Sequence, residues 1–191
     1  MADNSVLSHA VELLGLQAEL CLKHGLDLHS RSIQMVGPIN DKMFKFVDGA
    51  LNILEQQSRE GITIKISSFG GDCYAALAII SRMKKSTCNV HTEAHGCVMS
   101  AATLILAAGK KRSMSEYATF MFHETAYEVG GRHSEVQAWV ANFEREERTW
   151  SDIMEKLTGT DSNYWLELGK HTDKFLTPQE LLDKGVIDKV F

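Results

Sequence analysis

The chain has 191 residues, 44% apolar and 24% charged, which suits one domain, or one domain with an appendage, around a core of useful size. Its net charge of −5, with no basic block and no lysine-rich tail, argues against a nucleic-acid partner. The longest strongly apolar run, residues 98–108, is well short of the roughly 20 residues of a membrane span, and Met1-Ala2-Asp3-Asn4-Ser5 lacks the basic start and cleavage site of a secretory signal.

Residues 5–24 place Val6, Leu7, Ala10, Val11, Leu14, Ala18 and Cys21 three and four apart, predicting an amphipathic helix that serves as an interaction arm or packs on its own domain. Ser32–Val36, stopped by Gly37-Pro38, reads as a short strand. Phe44, Val47, Leu51 and Leu54 then mark a helix with a broad apolar face, in a segment ended by Gly61. Ile62-Thr63-Ile64-Lys65-Ile66 alternates strictly and predicts a strand. It leads through Ser67-Ser68-Phe69-Gly70-Gly71-Asp72 into a helix over 74–85. The glycine pair therefore lies between strand and helix, where positive φ lets a bare N–H face a ligand. No Lys-Ser/Thr follows it, so it is not a phosphate loop.

Residues 89–95 predict another strand, and the small and apolar residues after Ser100 predict a buried helix with Gly109 just past its end. Ser100 thus falls in a first helical turn, where free N–H groups and the positive end of the dipole converge. Its plain role would be a helix cap. Its chemical role would be a hydroxyl nucleophile beside an oxyanion site. Residues 118–122 form a further strand ending at His123. The alternation of strands and helices predicts a parallel α/β core with right-handed crossovers. Ligands gather at the carboxyl ends of such strands, and Gly70, Ser100 and His123 all follow predicted strands.

Residues 134–157 form the clearest helix, with Ser134 and Gln137 as its capping box and Glu144–Arg148 as a solvated face. Its length suits a handle for self-association. A short helix over 161–168 is followed by the loop Gly169–Asp173. Thr177-Pro178-Gln179-Glu180 opens another helix, and residues 186–190 predict a closing strand. Cys21, Cys73, Cys88 and Cys97 form no Cys-x-x-Cys pair, so reduced thiols and a cytoplasmic location are expected. His91 and His95 share a strand face, but no acidic third metal ligand is apparent.

A serine near neutral pH needs a base to take its proton, and a third group to hold that base in the right tautomer. Ser100, His123 and Asp173 supply those side chains, with the N–H groups of Gly70 and Ala101 as oxyanion donors. From about Ser30 to the C-terminus these residues resemble the proteolytic subunit of the Clp protease family. Ser68-Phe69-Gly70-Gly71-Asp72 is similar to its Ser-Pro-Gly-Gly turn, and Gly96–Ala102 to its nucleophile segment. Phe120-Met121-Phe122-His123 is similar to its strand-ending histidine, and Thr172–Thr177 with Gln179–Asp188 to its aspartate segment and closing helix–strand. Phe69, Met99, Glu124-Thr125 and Lys174 depart from the family's usual residues.

The resemblance implies a crotonase-like ββα/βαβ spiral over 30–191, with residues 1–29 as a separate helical arm. It implies Ser100 as nucleophile, His123 as base and then acid, Asp173 as orienting acid, and Gly70 and Ala101 as the oxyanion hole. It also implies a serine endopeptidase acting on peptides or unfolded proteins inside a tetradecamer of two heptameric rings, with the long helix as inter-ring handle. No cofactor is expected in the chain, and ATP would enter only through a partner unfoldase, because no Gly-x-x-x-x-Gly-Lys-Ser/Thr is present. Two other readings remain: an acyl-CoA hydratase or isomerase on the same fold, and a catalytically idle scaffold subunit.

Overall fold

The computed structural model describes residues 4–191, with side chains from residue 11 onward and that of Ser8. The predicted stripe positions Val6, Leu7 and Ala10 lie outside the described side chains. Helix α1 (Asn4–His24) leaves Val11, Leu13, Leu14, Leu16 and Leu22 exposed. Strand β1 (Leu26–Asp27) turns back antiparallel onto β2 (Ser32–Val36). Helix α2 (Asp41–Gln57) buries Val47, Ala50, Leu51 and Leu54, spaced to share one side of a 3.6-residue helix. Asn40 caps it by accepting from the Met43 N–H, and it stops at Gln57, short of Gly61.

Strand β3 (Ile62–Ser68) behaves as its alternation predicts. Ile62, Ile64 and Ile66 are fully buried, while Thr63, Lys65 and Ser67 lie half-exposed on the other face. Helix α3 (Cys73–Lys85), capped by Asp72, turns Ala76, Ile79 and Ile80 inward. Strand β4 (Val90–Met99) is longer than the predicted 89–95 segment. It pairs parallel with β3 on one side. On the other side Thr92–Ala94 pairs with β5 (Arg112–Met114), and Cys97–Met99 with β6 (Thr119–Phe122). Gly96, with φ +60°, sits at the changeover, so the apparent end of the strand pattern is a bend within it.

Helix α4 (Ala101–Ala107) is buried throughout, and its small residues let it approach the sheet and α3 closely. Its C-terminal carbonyls are satisfied from outside the helix: Thr92 Oγ1 donates to the Leu106 carbonyl at 2.7 Å and Lys84 Nζ to that of Ala108 at 3.0 Å. Helix α5 (His133–Thr158) starts one residue earlier than predicted. The Ser134–Gln137 box is not what caps it. The Glu135 carboxylate reaches back to the Arg132 N–H at 3.0 Å, because the helix start at His133 makes Glu135 the third helical residue. Helix α6 (Ser162–Gly169) follows, then β7 (Lys174–Leu176), α7 (Pro178–Asp183) and β8 (Lys189–Val190). The predicted closing strand is shorter than expected, since Val186 and Ile187 instead fold back toward α7 through bonds to the Leu181 carbonyl. Helix α7 opens where predicted, and Thr177 and Glu180 form a capping box at its start.

The result is a mixed α/β fold in which β2, β3, β4 and β5 run parallel. Arg31 closes one end of it. Its side chain is buried and donates to the carbonyls of Leu54 at 2.9 Å and Glu60 at 3.1 Å, covering the exposed end of α2. Arg31→Met keeps the aliphatic bulk, leaves the Glu60 carbonyl without its donor and leaves the Leu54 carbonyl only the long bond from the Ser58 N–H at 3.5 Å. Chemical denaturation is expected to show a loss of about 2–4 kcal/mol.

Candidate active site

Three chain segments meet where β3, β4 and β6 end. After β3, Gly70 and Gly71 adopt φ +97° and +144°, which side chains rarely tolerate. The Ile39 N–H donates to the Gly70 carbonyl and the Asp72 N–H to the Ile39 carbonyl, both at 2.9 Å, pinning the turn to the loop after β2. A Cβ on Gly70 would stand 2.7 Å from the Met99 carbonyl oxygen and 2.7 Å from Ser100 Cβ, so the turn packs directly on Ser100.

Ser100 occupies the N-cap position of α4 rather than its first turn, and its side chain caps nothing. Its backbone has φ 53° and ψ −129°, a conformation unfavourable for serine by roughly 1–3 kcal/mol. The surrounding structure holds it there. The Ser100 N–H donates to the Met121 carbonyl at 2.9 Å, and the Ser100 carbonyl accepts from the Thr103 N–H at 2.9 Å and hydroxyl at 2.6 Å. The hydroxyl is thereby turned away from the helix and toward His123.

His123 follows β6, and Asp173 precedes β7. These strands pair antiparallel with Phe122 opposite Lys174, so the next residues outward, His123 and Asp173, become cross-strand neighbours. His123 Nδ1 lies 3.1 Å from Asp173 Oδ1, and His123 Nε2 lies 2.8 Å from Ser100 Oγ. An ionised carboxylate only accepts, so the imidazole proton belongs on Nδ1 and Nε2 accepts from the serine hydroxyl. The Asp173 side chain is 56% exposed and that of His123 28%.

Of the two backbone donors, Ala101 opens α4, so its N–H lies outside the helix's own ladder. The Gly70 N–H donates to Ser68 Oγ at 3.0 Å.

A family model described as Clp protease matches residues 22–191. The chain belongs to the Clp protease family. The match begins inside α1 and leaves the first 21 residues outside the Clp protease model.

In this Clp protease family member a narrow cleft opens beside Ser100 and His123, with Cys73, Thr103, Glu147, Trp150 and Trp165 among its walls. Sequence reasoning misses Glu147, because it sits within the charged run Glu144–Arg148, whose composition marks a solvated face. Two members of that run turn inward instead. Glu147 accepts from the Thr125 N–H at 2.7 Å. Glu146 accepts from the hydroxyl of Tyr74 at 2.6 Å and from Asn142 Nδ2 at 2.7 Å, and Tyr127 donates to it at 3.2 Å. These bonds tether the irregular segment after His123 to α5, and the Tyr127 ring stacks on Phe143 at 3.6 Å. The available signal was the position of Glu147 three residues before the apolar Trp150, which puts both on one helix face.

Cys73 is also in the cleft, and burial pushes its thiol up to about 11. At pH 8 roughly one such thiol in a thousand is ionised. Iodoacetamide at that pH is therefore expected to leave Cys73 essentially unmodified in the folded protein and to alkylate it after unfolding, as peptide mass mapping would show.

His91 and His95 lie apart from this site on β4, where His95 Nε2 approaches Glu93 at 3.5 Å. Among the described residues no group of three metal-ligating side chains converges.

Proposed function

We propose that the chain is a serine endopeptidase of the Clp type in which Ser100 is the nucleophile, His123 the base and Asp173 the orienting acid. The observation that carries this reading is the continuous hydrogen-bonded series from Ser100 Oγ through His123 to Asp173, with links of 2.8 and 3.1 Å. Family membership supports a peptidase independently. Ser100 Oγ attacks the substrate carbonyl while His123 Nε2 takes its proton. Negative charge develops on the carbonyl oxygen, facing the Ala101 N–H. The Gly70 N–H joins it as the oxyanion, a stronger acceptor than a neutral hydroxyl, displaces Ser68 Oγ. The imidazolium returns the proton to the leaving amine. Water, deprotonated by His123, then hydrolyses the acyl ester and regenerates the serine.

The strained Ser100 backbone supports the catalytic role over a capping one. Enolate chemistry on acyl-CoA thioesters needs only the backbone donors, so a bonded Ser–His–Asp series favours the hydrolase. The proposal extends to a crotonase-like spiral over residues 30–191 with residues 1–29 as an arm, and to a chamber of two stacked seven-membered rings. Helix α5 would be the inter-ring handle. It runs 26 residues and exposes Trp139 and Val140, apolar surface suited to burial against another subunit. Peptides or unfolded chains would be the substrates, delivered by an ATP-driven unfoldase.

A fluorophosphonate is expected to label the assembled protein stoichiometrically at Ser100, and Ser100→Ala is expected to abolish the label. An assembled, folded sample that fails to label would overturn the reading.

A further inference from the structure

We infer that Glu147 makes the cleft beside Ser100 and His123 a receptor for a cationic side chain, so that cleavage follows lysine or arginine in preference to leucine. This rests on the hydrolase reading above. The cleft borders Ser100 and Ala101, so a residue whose carbonyl meets Ser100 Oγ with its oxygen at the Ala101 N–H directs its side chain here. Its lining contains two acids, Glu124 and Glu147, and no lysine or arginine.

Glu124 is exposed at the mouth, where it accepts from the His171 N–H at 3.3 Å. Glu147 is half-buried; it accepts from the Thr125 N–H at 2.7 Å, and the Thr125 hydroxyl also faces it. Desolvation, with the neighbouring charge of Glu124 acting the same way, pushes the Glu147 carboxyl above the ordinary carboxylate range. The indole N–H groups of Trp150 and Trp165 are buried without an acceptor among the described residues, so neither neutralises it. A half-buried carboxylate bonded only to the neutral groups of Thr125 is under-compensated, and an entering ammonium or guanidinium supplies the missing charge. A leucine side chain would leave the carboxylate without that partner, and an acidic one would add a third negative charge.

The test uses the full chain carrying Ser100→Ala, titrated with Ala-Ala-Lys, Ala-Ala-Leu and Ala-Ala-Glu and followed by tryptophan fluorescence. The lysine peptide is expected to bind at least about tenfold more tightly than the leucine peptide, and the glutamate peptide weakest. Adding Glu147→Gln should shrink the lysine advantage to about two- to threefold. Fluorogenic substrates that differ only at the corresponding residue should give the same ranking in kcat/KM with the unmutated chain, which decides the matter should Glu147→Gln fail to fold. Leucine bound as tightly as lysine, or a lysine advantage unchanged by Glu147→Gln, would overturn the inference. Lysine-selective binding in a chain whose serine neither labels nor cleaves would keep the cleft assignment and remove the hydrolase reading.

Discussion

Replacing His123 with alanine is expected to lower peptide hydrolysis by about 10⁴- to 10⁶-fold. Among the described residues the imidazole is the only group bonded to both Ser100 Oγ and Asp173, at 2.8 and 3.1 Å, so its loss removes the proposed base and separates the other two. Asp173→Asn should do less, about 10²- to 10⁴-fold. The Asp173 side chain is 56% exposed, so water competes for His123 Nδ1 and part of the carboxylate's influence is screened. The ordering matters more than either figure. Initial rates on a fluorogenic peptide and the rate of fluorophosphonate labelling should fall together in both variants, with circular dichroism unchanged. Equal losses in the two variants would mean that the aspartate is more protected than its exposure implies. An active His123→Ala enzyme would remove the mechanism.

Gly70→Ala is the substitution expected to harm stability and chemistry together. Its φ of +97° is strained for alanine, and the added methyl would sit 2.7 Å from both the Met99 carbonyl oxygen and Ser100 Cβ. Neither obstacle is the movable end of a flexible chain. One belongs to β4, hydrogen-bonded on both sides, and the other is the proposed nucleophile's own carbon. The turn cannot retreat, because Ile39 holds it through the Gly70 carbonyl and the Asp72 N–H. A destabilisation of about 2–4 kcal/mol is expected, with at least about a 10²-fold loss of kcat, since a displacement near 1 Å at the reacting atom has that effect. Urea titration and steady-state kinetics on the same preparation would check both.

Much of this was legible in the residue pattern. The alternation in Ile62–Ile66, the apolar side of α2 and the long period of α5 each reflect a single periodicity, and each folds as that periodicity dictates. Gly70, Ser100 and His123 share an address because all follow parallel or paired strands. What escaped depends on neighbours that a one-dimensional pattern does not contain. β4 continues through Gly96 because β6 takes over its edge from β5, which no local propensity signals. The closeness of His123 and Asp173 comes from the β6–β7 register. The inward turn of Glu146 and Glu147 comes from Tyr74, Tyr127 and Thr125, all remote in sequence, whereas composition alone marks the run as solvent-facing. The strain at Ser100 is likewise invisible to propensity, because serine is an ordinary residue before a helix.

The three proposed catalytic side chains are anchored unequally. Ser100 follows a ten-residue strand with partners on both sides, and His123 follows a strand that this one supports. Asp173 leads into β7, three residues long, which among the described residues pairs with β6 alone. Short peripheral strands are the first to fray. Moderate heat or mild chaotrope would therefore free the carboxylate while the hydroxyl and imidazole still face each other. The protein would lose turnover before it lost its shape, and would recover it on cooling without having to refold.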